Sequence, residues 1–153
     1  MKHLLIAILF AAASFQPASA DDMADRKVIE QAALDYIESQ HKPDPSRMDR
    51  ALHGDMKKRT YWEKTDGTEY VMETSRDTML WVAENYNKDG KAFPNPPRKD
   101  IEILALDGRI ASVKLTADDW IDYLHLMKGN EGEWKIINVL WQFHDQSQQV
   151  DRK

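Results

Sequence analysis

The sequence predicts an α+β protein in which helices precede a curved antiparallel sheet and pack on one side of it. Two observations favour this class. Apolar residues recur at intervals of three and four in segments of the first half, which is the period of one helix face. From Ile101 onward the period changes to two, and Gly-containing turns at 107–108 and 129–132 divide this half into four strands of a meander.

The first half predicts three helices. The first spans residues 25–40, with apolar positions on one face, and prolines in the segment HKPDP end it. Asp44 is placed as the N-cap of a second helix over residues 45–53, with a proline at its first position, and Gly54 closes it. Residues 57–73 predict a hairpin with an Asp-Gly turn.

The third helix is predicted to begin after Thr74, whose spacing from Asp77 resembles a capping box. Its apolar face runs from Met79 to Tyr86. The proline-containing segment NKDGKAFPNPPRKD that follows is predicted to be a loop before the meander. No internal repeat and no linker is evident, so we expect a single domain over residues 21–153.

The first twenty residues, MKHLLIAILFAAASFQPASA, have the layout of a secretory signal peptide. Lys2 precedes an apolar run over residues 4–13, and small residues Ala18 and Ala20 mark a cleavage site after Ala20. The run is shorter than the roughly 20 residues that a membrane span needs. We therefore expect an exported chain, periplasmic or secreted, that is not held in a membrane after cleavage.

Composition excludes several functions. The whole chain has 21 basic and 26 acidic residues, and removal of the leader with its one lysine changes the formal charge from −5 to −6. This sign argues against a nucleic-acid partner. The sequence has no cysteine, phosphate-binding glycine loop or HExxH motif, and its histidines lack the spacing of metal ligands. We expect no metal and no cofactor.

The segment DWIDYLHLMKGNEGEWKIINVLWQFH, residues 119–144, predicts a hairpin with apolar groups on both faces. A turn at 129–132 would place Asp122 opposite Val139 and Trp120 opposite Trp141. These two pairs define the first predicted face, whose members are Trp120, Asp122, Leu124, Leu126, Ile137, Val139, Trp141 and Phe143. The second predicted face contains Ile121, Tyr123, His125, Met127, Trp134, Ile136, Asn138 and Gln142.

The two faces predict different roles. Burial among apolar groups disfavours an ionised carboxylate, so Asp122 on the first face is a candidate neutral hydrogen-bond donor. The alternative is a buried Asp paired with Arg109, Lys114 or a backbone amide. The second face mixes aromatic and uncharged polar groups, as subunit interfaces do, and predicts a homodimer. His125 lies on that face, away from Asp122.

The segments DYIESQHKPDPSRMDRALH and IASVKLTADDWIDYLHLMKGNEGEWKIINVLW resemble the nuclear transport factor 2-like (NTF2-like) superfamily. Within it the chain is most similar to the bacterial putative lumazine-binding proteins, relatives of ketosteroid isomerase and the SnoaL-like cyclases. The resemblance covers nearly the whole chain after the leader. It implies a cone-shaped α+β barrel, also called cystatin-like, in which a strongly curved antiparallel sheet wraps around helices and leaves a mostly apolar cavity.

The resemblance also implies candidate catalytic residues. Alignment with ketosteroid isomerase places Asp122 at the position of its oxyanion-stabilising acid and Tyr36 at that of its oxyanion-stabilising tyrosine. The catalytic base would fall in RTYWEKTDG, where Glu63 is the nearest carboxylate and matches only with a gap. The sequence therefore supplies both oxyanion-stabilising residues of a proton-transfer site but no clearly placed base.

Three functions stay open at this point. The first is the binding of a small apolar or aromatic molecule in the cavity, and we favour it because no base is clearly placed. The second is an isomerase, dehydratase or cyclase that uses Tyr36 and Asp122. The third is a dimerising structural module. The candidate ligand-binding residues are Trp62, Trp81, Trp120, Leu124, Val139 and Trp141, although aromatic residues at these spacings also fill cores.

Overall fold

The computed structural model describes residues 20–151 of the chain. The predicted signal peptide, apart from its last residue, lies outside the described residues. Three α-helices are present within them, α1 at Ala20–His41, α2 at Pro45–Ala51 and α3 at Arg76–Asn85, together with a short 3-10 helix at Gln146–Gln148. Among these described helices, none has both the length and the apolar character required to cross a membrane.

The helix boundaries follow local capping chemistry. The side chain of Asp44 accepts a hydrogen bond of 2.9 Å from the backbone N–H of Arg47, which confirms it as the N-cap of α2. The capping box predicted at Thr74 is wrong. Ser75 caps α3 instead, its Oγ accepting from the N–H of Thr78 at 3.2 Å, because the helix begins at Arg76, one residue later than a cap at Thr74 requires. Helix α2 ends at Ala51 and not at residue 53.

Six strands form one sheet in the order β2-β1-β6-β5-β4-β3. The strands are β1 Leu52–Glu63, β2 Glu69–Ser75, β3 Lys99–Asp107, β4 Ile110–Ala117, β5 Trp120–Lys128 and β6 Trp134–Phe143. The predicted hairpin and the four-strand meander are both present. However, β1 pairs with β6 in parallel. The sheet is therefore mixed, whereas a wholly antiparallel sheet was predicted.

The register of the β5–β6 hairpin differs from the prediction. Asp122 lies opposite Trp141, two residues further along β6 than its predicted partner Val139. Trp120 is displaced by the same amount and lies opposite Phe143. The predicted pairs are therefore wrong by two positions.

Two separate insertions produce this displacement. Lys128 pairs with Trp134, so the connection contains five residues, 129–133, where a four-residue turn was predicted. A β-bulge at Ile137 adds the second residue. A one-residue shift exchanges the faces of a strand, and a second one restores them.

The exchanged faces are confined to the part of β6 between the turn and the bulge. Trp134 and Ile136 were predicted to face outward, yet both are buried, and Ile137 lies partly exposed. The indole N–H of Trp134 donates to Asp25 of α1 at 3.0 Å, and Lys128 contacts the same carboxylate at 2.7 Å. This contact joins the start of α1 to the closed end of the hairpin.

The core lies between the helices and the inner face of the sheet. Helix α1 packs against α2, α3 and the strands β3, β4 and β6, while α3 packs against β1 and β2. Buried strand residues alternate with exposed ones along β4 and β5, which is the pattern of a sheet covered on one face. The helices therefore cover one side, and the other side is the outer face.

Candidate ligand-binding cavity

A cavity of about 190 Å³ lies between α1, α3 and the inner face of β1, β5 and β6. Its lining is mostly aromatic or apolar and contains a single charged side chain, that of Lys58. The lining residues are Gln40, Lys58, Thr74, Met79, Val82, Tyr86, Trp120, Trp141 and Phe143. Tyr86 is 49% exposed, so the cavity reaches the surface beside it.

A second depression, of about 230 Å³, lies on the outer face of the sheet. It is lined by residues of β3, β4, β5 and β6 such as Ile110, His125 and Met127. None of its lining residues is a buried charged side chain. Convergent buried polar groups distinguish ligand sites from surface depressions, so the inner cavity is the better candidate site.

Strand β1 places Lys58 inside the protein. Met56, Lys58 and Thr60 alternate with more exposed neighbours, and Lys58 is only 7% exposed. A buried ammonium requires hydrogen bonds and an opposite charge. The contacts around Lys58 provide both.

Lys58 joins Tyr36 of α1 to Asp122 of β5. Its Nζ donates to Oδ1 of Asp122 at 2.8 Å and to the Tyr36 hydroxyl at 2.9 Å. The other carboxylate oxygen, Oδ2, accepts from the indole N–H of Trp120 at 2.7 Å. Asp122 is fully buried, and both its oxygens accept hydrogen bonds, which is the arrangement of an ionised carboxylate.

Aromatic rings surround the same ammonium. Nζ of Lys58 lies 4.7 Å from the ring centroid of Trp141, 5.9 Å from that of Trp120 and 5.6 Å from that of Tyr36. Cations within about 6 Å of a ring centroid are attracted by its π electrons. These rings therefore stabilise the charge of Lys58 where water has little access.

Further aromatic contacts support the rings that line the cavity. The ring of Trp141 lies 5.0 Å from that of Phe143 and 6.2 Å from that of Trp62. Within residues 20–151, the buried indole N–H of Trp141 has no hydrogen-bond partner. The wall is thus a packed aromatic cluster that keeps one unsatisfied polar group.

Burial raises the pKa of Tyr36 well above that of a free tyrosine, and the negative charge of Asp122 raises it further. The phenol therefore stays neutral through the range in which exposed tyrosines ionise, near pH 10. The pKa of Tyr36 is higher in the folded state than in the unfolded state. The contribution of Tyr36 to the free energy of unfolding is therefore complete below pH ~10 and is lost as the pH rises through the folded-state pKa.

We expect Tyr36 to be silent in a spectrophotometric titration of the native protein. Its buried hydroxyl should yield no phenolate absorbance before the protein unfolds. The Tyr36→Phe variant should give the same native titration curve as the unaltered protein. A native phenolate signal of the unaltered protein that is missing from this variant would contradict the buried position of Tyr36.

The structure brings together four of the residues that the sequence singled out. Tyr36 and Asp122 share contacts with Lys58, and Trp120 and Trp141 line the cavity. Leu124 and Val139, which were predicted to contact ligand, are fully buried in the core and do not line it. Both lie on the same inner face as Trp120 and Trp141, but further along β5 and β6, where their side chains belong to the hydrophobic core.

Three other predicted site residues lie elsewhere. Trp62 packs beside Trp141, yet its indole N–H donates to Asp151 at 3.1 Å and it is absent from the cavity lining. Trp81 is 62% exposed because it lies on the outer side of α3. Glu63 is exposed at the end of β1, where its backbone pairs with Gln149 and Asp151 of the C-terminal segment. The structure therefore brings no predicted base to the cavity.

Sequence reasoning missed Lys58. Alternation along β1 was the one indication, since it places Lys58 on the same face as Met56 and Thr60. Lys58 stands, however, in a run of three basic residues, which is the pattern of a solvent-exposed strand. The predicted alternative partner Arg109 instead donates to the carbonyl of Lys128 at 2.9 Å. The cation paired with Asp122 comes from a strand distant in sequence.

Helices on one face of a six-stranded mixed sheet, with an aromatic cavity between the two layers, are an arrangement found in the NTF2-like class. Solved structures of this class share the fold. They include an NTF2-like protein of unknown function from Silicibacter pomeroyi DSS-3 (TM-score 0.62, 17% identity, 84% of this chain and 100% of that chain). Another, from Shewanella baltica OS155, has a TM-score of 0.59 and 17% identity over 84% of this chain and 98% of that chain.

A ketosteroid isomerase-like protein from Erwinia carotovora atroseptica SCRI1043 is also similar, with a TM-score of 0.52 and 16% identity over 78% of this chain and 95% of that chain. At these identities the similarity establishes the fold alone. The family described as "Putative lumazine-binding" matches residues 24–142, and the chain belongs to this family and has the NTF2-like fold. A search of curated proteins found no match.

Proposed function

We propose that the protein is an exported binding protein that holds a small apolar or aromatic molecule in the inner cavity. The observation that carries this proposal is a cavity with aromatic walls and one buried ammonium, that of Lys58, at its inner end. Ligand sites combine a mostly apolar lining with a few placed polar groups. The name of the family also supports a small-molecule ligand.

The contacts of Asp122 favour binding over isomerisation. An oxyanion-stabilising acid must be protonated so that it donates a hydrogen bond to substrate oxygen. Here both oxygens of Asp122 accept, one from Lys58 and one from Trp120. Glu63, the candidate base, lies exposed at the end of β1. A cavity that binds a ligand without proton transfer needs neither of these roles.

We expect the Val82→Phe variant to lose ligand binding, because Val82 lines the cavity and a larger side chain occupies part of its 190 Å³. The measurement is the rise in melting temperature across a panel of small aromatic and apolar metabolites. A ligand at about 100 times its Kd stabilises a protein by about 2.7 kcal/mol. The unaltered protein should respond to members of the panel and the variant should not.

Glu84→Phe is the matched control for this experiment. It adds the same ring to α3, but Glu84 is exposed and does not line the cavity, so the response to ligand should persist. If no compound stabilises the unaltered protein, or if Val82→Phe responds as fully as Glu84→Phe, the cavity is not the binding site.

Export is the second part of the proposal. The basic start, the apolar run and the small residues before Asp21 support cleavage after Ala20. We expect the protein recovered from the periplasm or medium to begin at Asp21. An N-terminal sequence that retains Met1 in that fraction would overturn this part.

We further propose that two copies associate through the outer face of the sheet. Four apolar side chains, each 44–58% exposed, lie on this face in two cross-strand pairs, one on either side of His125 of β5. They are Ile110, Tyr123, Met127 and Leu140. Exposed apolar groups at the centre of a surface patch are typical of subunit interfaces, and two-fold dimers are the commonest assembly.

Tyr123→Arg is expected to convert the dimer to a monomer, because it places a charge at the centre of the contact. Sedimentation velocity measures the change. Glu84→Arg, on the opposite side of the sheet, should leave the dimer intact. A monomer for the unaltered protein at high concentration would refute the interface.

A further inference from the structure

We propose that the ligand of the cavity is an uncharged, one-ring aromatic compound whose hydrogen-bond acceptor, such as a carbonyl oxygen, bonds to the ammonium of Lys58. This inference rests on the proposed function, since it specifies the ligand of the same cavity. Three properties of the cavity carry it: a spare donor, the balance of charge and the volume.

The spare donor belongs to Lys58. An ammonium group has three N–H donors. Two of them meet acceptors, the hydroxyl of Tyr36 at 2.9 Å and Oδ1 of Asp122 at 2.8 Å. Among residues 20–151 the third meets no nitrogen or oxygen acceptor, and the ring of Trp141 offers only its π electrons. A donor buried in this way is costly to leave unpaired, so a ligand oxygen that reaches it is favoured.

The charge balance selects an uncharged ligand. Lys58 is the single charged residue among those that line the cavity, and the carboxylate of Asp122, 2.8 Å from its ammonium, already neutralises it. An anionic ligand close enough to bond with Lys58 would also lie close to Asp122 and be repelled where solvent screening is weak. A neutral acceptor gains the hydrogen bond without that repulsion.

The volume and walls indicate one aromatic ring. A cavity of about 150 Å³ inside a protein has been seen to bind benzene, and this one has about 190 Å³. The difference leaves room for a small substituent that carries the acceptor. Trp120, Trp141 and Phe143 supply rings that pack against an aromatic ligand in stacked or edge-on geometry.

Three compounds of nearly the same shape test this inference. Acetophenone carries a carbonyl oxygen, α-methylstyrene replaces that oxygen with a methylene group, and benzoate replaces the acetyl group with an anion. We expect isothermal titration calorimetry on the unaltered protein to show that acetophenone binds at least about tenfold more tightly than either of the others, because sites with a buried donor reject analogues that lack the acceptor.

Each outcome separates this inference from the proposed function. Equal affinities for acetophenone and α-methylstyrene, or tightest binding of benzoate, would overturn the inference and leave binding of aromatic molecules standing. Binding of none of the three would also overturn it. The proposed function would then be decided independently by the response of Val82→Phe to the wider panel.

A paired variant assigns the selectivity to Lys58. Replacing Lys58 by Met and Asp122 by Asn removes both charges together and keeps an acceptor for Trp120, so we expect the preference for acetophenone over α-methylstyrene to fall to near one. The matched control, Lys57→Met with Glu73→Gln, removes an ion pair of 3.0 Å on the exposed side of β1 and should keep the preference. An unchanged preference in the first variant would refute the role of Lys58. If that variant does not fold, the three-compound comparison still decides.

Discussion

Lys58→Met is expected to destabilise the protein by about 3–5 kcal/mol, because it leaves the Asp122 carboxylate buried without its cation. Asp122 is fully buried and Lys58 is 7% exposed, so water has little access to either group after the substitution. The free energy of unfolding, from urea denaturation monitored by tryptophan fluorescence, measures the loss. The variant should unfold at a clearly lower urea concentration.

The neighbouring residue provides the control. Lys57 pairs with Glu73 at 3.0 Å, but both side chains are about 40% exposed, so Lys57→Met should cost less than about 1 kcal/mol. The double variant Lys58→Met with Asp122→Asn should be less destabilised than the sum of its two single variants, since residues that contact each other are coupled. Simple additivity would contradict the buried ion pair.

The second large effect is expected at Leu124. Leu124→Ala should cost about 2–5 kcal/mol, because it opens a void at a fully buried position of the hydrophobic core. Urea denaturation again measures the change. Leu104, which is 47% exposed on β3, gives the matched control, and Leu104→Ala should cost less than about 1 kcal/mol.

This comparison also distinguishes a core residue from a ligand contact. The sequence predicted that Leu124 binds ligand, whereas in the structure it belongs to the hydrophobic core and is not among the residues that line the cavity. The folded Leu124→Ala protein should therefore retain ligand binding. Loss of binding with little loss of stability would support the prediction that Leu124 contacts the ligand.

Local patterns predicted the helices and the hairpins because their causes lie within a few residues. The face of α1, the cap at Asp44 and the change of period at Ile101 all depend on near neighbours. The parallel pairing of β1 with β6 depends instead on contacts between distant segments, and no local pattern reports it. The bulge at Ile137 likewise leaves no clear mark in the sequence.

The residues of the candidate site likewise differ in whether the sequence could identify them. Asp122 was identifiable as a carboxylate among apolar residues, and Tyr36 followed from the resemblance. Lys58 was not identifiable, because its role arises when β1 is brought beside α1 and β5. Since this lysine is paired with Asp122, the carboxylate accepts hydrogen bonds where a neutral acid was predicted.

We infer that the cavity beside Lys58 holds an uncharged, one-ring aromatic molecule. Mass spectrometry of the small molecules extracted from the purified native protein tests it most directly, with Val82→Phe purified in parallel. We predict a one-ring aromatic compound that is present in the unaltered protein, near one per chain, and absent from the variant. A charged or purely aliphatic compound at that stoichiometry, or the same compound at equal amounts in both proteins, would contradict the claim.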